Sequence, residues 1–110
     1  MESEKLYRQY LPMSETAYYI LLSLMEIRHG YGIIQFVEEL TQGRIRLGPG
    51  TIYGSLSRME KDGLIQAEAE EDRRKLYRIT SSGKGLLKLE IARLQELNEN
   101  AKKVEVRLYE

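Results

Sequence analysis

The chain has 110 residues, 17 basic and 17 acidic, so its formal net charge is zero and it is not a wholly basic nucleic-acid binder. It has no cysteine, which removes disulfides, thiolate metal sites and cysteine nucleophiles. One domain with a modest core is expected at this length. No apolar run approaches membrane-spanning length, and the acidic start Met1-Glu2-Ser3-Glu4 is unlike a signal peptide, so a cytoplasmic protein without a membrane partner is expected.

Residues 1–13 read as an arm or one short helix ending near Leu11. Leu6, Tyr10 and Met13 share helical spacing and need a partner in this domain or in a second chain. Ser14 is a good N-cap, with Glu15 favouring the positive helix end. The apolar run 16–27 then predicts a central core helix ended by His29-Gly30, with Met25 a core filler and His29 a cation favoured at the helix terminus. A second helix of about a dozen residues restarts at Tyr31-Gly32, carries Ile33, Ile34, Phe36, Val37 and Leu40 at helical spacing, and has Gly43 as its C-cap. Arg44-Ile45-Arg46-Leu47 alternates and fits a brief strand or an extended link.

The next stretch organises the chain. Pro49 lies just inside the start and Gly63 just past the end of an apolar pattern, the asymmetry expected of a helix. Ile52, Leu56 and Met59 form one narrow stripe at i, i+4, i+7. The opposite side carries Thr51, Gly54, Ser55, Arg58 and Lys61 or Asp62, with small side chains first and long basic ones later. Small residues let a backbone come close to a groove, and hydroxyls and arginine reach phosphates or base edges. Read alone, the same pattern also fits an ordinary amphipathic surface helix.

Two alternating stretches follow, at 64–70 and 75–80. Glu71-Asp72-Arg73-Arg74 between them makes a polar hairpin tip, to which Lys75 adds a third cation. The region 42–85 has nine basic against six acidic residues, whereas 1–41 has three against six and 86–110 five against five. Thr80 or Ser81 caps a last helix from about Ser82 towards the C-terminus. Its stripe Leu87, Leu94, Leu97, Ala101, Val104 and Leu108 steps by three and four, broken at Glu90. So long a stripe seldom stays exposed, and a second copy of the chain is its cheapest partner. The other reading folds it onto the first core helix.

The expected fold is mainly α with a small β-hairpin, a winged helix-turn-helix. Residues 1–81 would form the DNA-binding domain and 82–110 a long dimerisation helix. On this reading Gly50, Thr51, Tyr53, Gly54, Ser55, Arg58 and Lys61 face DNA from the third core helix, and Arg73, Arg74 and Lys75 from the wing. Leu87, Leu94, Leu97, Ala101, Val104 and Leu108 join two subunits. No catalytic residue, metal or cofactor is expected. The single histidine is isolated, no carboxylate pair separates acid from base, and Gly48-Pro49-Gly50-Thr51 lacks the lysine of a phosphate-binding loop.

Specific motifs support this reading. Tyr31-Gly32 opens the second core helix. Leu47-Gly48-Pro49-Gly50-Thr51-Ile52-Tyr53 opens the third, and Leu56-x-x-Met59-Glu60-x-x-Gly63-Leu64-Ile65 closes it. Arg73-Arg74-Lys75-Leu76-Tyr77-Arg78-Ile79-Thr80-x-x-Gly83 spans the second wing strand. Over residues 10 to about 90 the chain resembles the PadR family of winged-helix transcriptional regulators. The resemblance implies a cytoplasmic homodimer, usually a repressor, on a palindromic double-stranded operator. It also implies a third helix in the major groove, a flanking wing and a dimerising C-terminal helix. Gly48 stands where relatives commonly have serine, which weakens the cap. The single C-terminal helix resembles a short-tailed subgroup, some members of which bind flat aromatic drugs beside a tryptophan that this chain lacks. Tyr7, Tyr10, Tyr18, Tyr19 and Tyr109 could line a pocket for an unidentified small-molecule effector, or pack an interface. Tyr53 suits a phosphate contact, as the resemblance implies, or half-burial in the core beside Ile52; Tyr77 faces the same choice and suits core packing. A winged-helix module that binds protein without specific DNA recognition is the alternative function.

Overall fold

The computed structural model describes residues 2–110, with side chains from Glu4 onward. The N-terminal stretch is a helix, α1 (Glu2–Tyr10), and its Leu6, Tyr7 and Tyr10 pack against the chain's own core. Ser14 caps α2 (Glu15–Ser23) as expected, its Oγ accepting the Ala17 N–H at 3.1 Å.

α2 is shorter than its apolar run. The Leu24 carbonyl accepts the Ile79 N–H at 3.0 Å, and Arg28 and Tyr77 exchange two backbone hydrogen bonds, at 3.1 and 2.8 Å. Pairing with the hairpin therefore takes over the backbone where the helix would have continued. Met25 and Ile27 are left exposed, so Met25 is not a core filler. His29 does not terminate a helix. It is the N-cap of α3 (Gly30–Leu40), its Nδ1 accepting the Gly32 N–H at 3.0 Å. Beyond α3, Gly43 adopts φ +82° and its N–H reaches the Glu38 carbonyl. The segment 44–47 is an extended link without strand pairing, pinned by ion pairs from Arg44 to Glu15 and from Arg46 to Glu38.

α4 (Pro49–Lys61) starts and stops where proline and glycine place it. Gly48 caps it without a side-chain bond. At its end Gly63, at φ +77°, donates to the Glu60 carbonyl while Leu64 donates to the Met59 carbonyl, a Schellman pair. Strands β1 (Ile65–Glu71) and β2 (Arg74–Ile79) pair antiparallel, with a bulge between Ala67 and Ala69. Asp72 and Arg73 make the two-residue turn, both at positive φ, the geometry that matches hairpin twist. Thr80 Oγ1 accepts the Gly83 N–H and donates to the Gly63 carbonyl, fixing the start of α5 (Ser81–Lys102). Gly83 has a packing reason to be glycine, since a Cβ there would run into the Leu64 carbonyl oxygen.

The core lies where α2, α3, α4, the hairpin base and the first turns of α5 meet. Ile20, Leu21, Ile33, Val37, Ile52, Leu56, Ile79 and Leu86 are buried there. Burying one such side chain contributes about 1.5–3 kcal/mol.

Two expectations about the last helix change. Leu87 is only 4 % exposed and belongs to this core, not to an intersubunit seam. Glu90, the break in the stripe, is 1 % exposed. Its carboxylate accepts from Arg93 Nε and Nη2, at 2.6 and 2.8 Å, and from the Met13 N–H at 3.1 Å. The Arg93 hydrogen bonds hold the Glu90 carboxyl below its ordinary pKa against the opposing effect of burial. The helix also stops at Lys102. Val104 lies in a turn and Leu108 in a 3-10 helix (Glu105–Tyr109), so the stripe is not one continuous helical seam.

Candidate nucleic-acid interface

α4 is anchored by Ile52, Leu56 and Met59, all buried. At 100° per residue, Gly50, Gly54, Ser57 and Lys61 run along the opposite ridge, and all four are exposed. A Cβ on Gly50 or Gly54 would meet no atom within 4 Å, so no intrachain contact explains either glycine. Thr51 and Arg58 are exposed on one flank of the ridge and Tyr53 on the other. Ser55 departs from the expected face. It is half-buried and turned towards α1 and α2, about 60° from Ile52 around the helix. Ser57, about 140° from Ile52, takes its place on the ridge, and the angular count alone could have found it.

The wing closes one side of this ridge. Gly30, Tyr53, Arg73, Arg74, Lys75 and Tyr77 line a cleft of ≈ 290 Å³ between the start of α3, α4 and the hairpin tip. Tyr53 is 52 % exposed, and its ring lies over Gly30 so closely that a Cβ there would come within 2.8 Å of Cε1. Tyr77 is buried, as its core role requires, and burial raises its hydroxyl pKa. The three wing cations differ in their surroundings. Lys75 Nζ stands 4.0 Å from Glu60 and faces Glu70 across the ladder, and Arg74 faces Glu71. Arg73 sits on the turn and forms no ion pair among the described residues.

The arm closes the other side. Gln9, Tyr10, Pro12, Ser14, Thr16, Ala17, Ser55, Arg58 and Met59 line a cleft of ≈ 330 Å³. At its edge the Tyr10 hydroxyl donates to Asp62 Oδ2 at 2.6 Å, and Gln9 Nε2 donates to the same oxygen at 3.3 Å. Burial and then the Asp62 bond push the Tyr10 hydroxyl pKa well up. The tyrosines do not gather into one pocket. Tyr7, Tyr10, Tyr18 and Tyr19 are half-buried against the core, with Tyr18 and Tyr19 edge to face at 5.5 Å, whereas Tyr109 is exposed in the 3-10 helix. Leu94, Leu97, Ala101, Val104 and Leu108 are all exposed, Leu97 at 50 % and Val104 at 58 %. Among the described residues, no helix is long and apolar enough to cross a membrane, and no cluster of metal-ligating side chains occurs.

The fold is shared with known proteins. A family model described as the transcriptional regulator PadR-like family matches residues 19–89. The chain is 35% identical over 78 residues to the transcriptional regulator YqjI of Escherichia coli, covering 71% of this chain and 33% of that protein. It is 36% identical over 72 residues to the transcriptional regulator Rv3488 of Mycobacterium tuberculosis, covering 63% of this chain and 64% of that protein. It thus spans a third of the length of one relative and just under two thirds of the other. An X-ray structure of a PadR-like transcription factor from Bacteroides fragilis superposes with a TM-score of 0.67 at 29% identity, over 93% of this chain and 95% of that one. The family match covers most of the winged helix described above, and this chain belongs to the PadR-like family of transcriptional regulators.

Proposed function

We propose that the protein is a sequence-specific DNA-binding repressor that occupies a palindromic operator as a homodimer. The observation that carries this reading is the α4 ridge. Two glycines with no intrachain contact sit on it, and two clefts flank it. A glycine in a helix interior costs roughly 1 kcal/mol relative to alanine. Nothing inside this chain offsets that cost at Gly54, and close approach of a duplex does.

In this reading Gly50, Thr51, Gly54, Ser57 and Lys61 meet the groove, with Ser55 at its edge. Tyr53, Arg73, Arg74 and Lys75 hold one backbone strand in the wing cleft. Residues 1–81 supply DNA contact and 82–110 dimerisation, a division of roles, since the first turns of α5 pack in the common core. Leu94, Leu97, Ala101, Val104 and Leu108 form the seam with a second copy, which brings two α4 helices to two half-sites. Repression is what members of the family usually do.

The wing tests the reading. Replacing Arg73 and Arg74 with alanine is expected to weaken binding to every duplex by a similar factor. The dependence of log K on log salt should flatten by about 0.9 for each lost phosphate contact. A drop in affinity with an unchanged salt slope would show that these arginines do not hold phosphates.

A further inference from the structure

Resting on the DNA-binding reading above, we infer that the arm-side cleft seats a phosphate of the second DNA strand, and that Arg58 serves that seat rather than base readout. A helix about 10–12 Å across fills a major groove about 12 Å wide, so each flank of the helix faces a wall of phosphates. The wing cleft meets one wall with Tyr53, Arg73, Arg74 and Lys75. On the opposite flank of α4 lies the ≈ 330 Å³ cleft between α1, α2 and α4.

Its lining suits a phosphodiester. Arg58 lines it from the arm-side flank of α4, about 120° around the helix from Ile52. Arg58 forms no ion pair among the described residues, although Asp62 stands one turn further on. Asp62 is held instead by Tyr10 and Gln9. Glu15, which lies in sequence between the lining residues Ser14 and Thr16, is taken by a two-pronged bond from Arg44, at 2.7 and 3.2 Å. Arg58 is thus the basic group of the cleft, and Thr16 and Ser55 add hydroxyl donors beside it. The seat is continuous with the exposed ridge through Thr51 and Arg58. The arm becomes part of the DNA interface by forming the cleft's outer wall.

The test uses the full chain, an inverted-repeat duplex and a scrambled duplex, titrated between 50 and 200 mM salt, the range over which phosphate contacts change affinity most visibly. Arg58→Ala is expected to weaken binding to both duplexes by roughly tenfold and to lower the salt slope by about 0.9, with their affinity ratio unchanged. Arg58→Lys should keep the slope, because an ammonium still pairs with a phosphate. Thr16→Glu puts a carboxylate into the cleft at a position where the helix N-terminus accepts one, so melting should be unchanged. Binding to both duplexes should fall, and the deficit should shrink as salt rises. An Arg58→Ala protein that keeps its salt slope but loses discrimination at one base pair would make Arg58 a base reader and overturn the seat. A Thr16→Glu protein that binds like wild type would also overturn it. If wild type binds neither duplex, the DNA-binding reading itself fails, a result distinct from both.

Discussion

Gly54→Leu separates folding from DNA recognition. Gly54 is in the interior of α4 and exposed, and a side chain there meets nothing within 4 Å. Leucine is a far better helix former than glycine, a difference of roughly 0.5–1 kcal/mol. With no clash to offset that gain, the melting temperature should rise by roughly 2–8 °C in a domain of this size. The same side chain projects from the ridge between Gly50, Ser57 and Lys61 and holds the α4 backbone away from base edges. Specific binding exceeds non-specific binding by about 10³-fold or more, so operator affinity should fall by at least about that factor, to the level of a scrambled duplex. The assay pairs melting curves with titrations against both duplexes. A Gly54→Leu protein that is folded and still distinguishes the duplexes like wild type would refute the placement of α4 in the groove.

Other substitutions test the frame that carries α4. Leu97→Asp combined with Val104→Asp should give a folded monomer by sedimentation, because both side chains are at least half exposed in the single chain and their partner lies outside it; a dimer as stable as wild type would place the seam elsewhere. Gly83→Ala should cost about 1–3 kcal/mol in denaturant unfolding, since the new methyl group forces α5 away from the Leu64 carbonyl. Glu90 has a depressed folded pKa, so its contribution is fully present above the ordinary carboxyl value of 4.5 and is lost as pH falls through the lower folded value. Glu90→Gln should therefore be less stable than wild type at pH 7 by about 1–3 kcal/mol, with the gap closing below the ordinary carboxyl range; urea unfolding at several pH values reads this directly.

Local chemistry made much of this molecule legible from sequence. Pro49 and Gly63 bracket α4, Ser14 and Thr80 cap their helices, and the polar tip 71–74 turns the hairpin, because each of these signals acts within a few residues. What could not be read depends on distant partners. α2 stops at Ser23 because the Ile79 N–H claims the Leu24 carbonyl, and no feature of 16–27 announces a strand more than fifty residues on. Glu90 looked like a flaw in an apolar stripe and is instead a buried carboxylate that ties Met13 to Arg93. Leu87 shares the stripe's spacing but faces the core, a choice that periodicity cannot make. Within the candidate interface the face of α4 was legible, whereas Ser55 and Ser57 changed places because the apolar stripe is narrow and its angular centre decides which serine is exposed. The arm-side cleft had no sequence signature, since α1, α2 and α4 assemble it from separate parts of the chain.

The most direct test of the account is a titration of the wild-type chain, over a range of salt concentrations, against an inverted repeat from the DNA immediately upstream of its own gene and against the same bases scrambled. The account predicts that log K falls linearly with log salt on both duplexes, and that the inverted repeat binds at least about 10³-fold tighter. Equal affinity for the two duplexes, or binding that ignores salt, would contradict it and favour a winged-helix module that recognises protein.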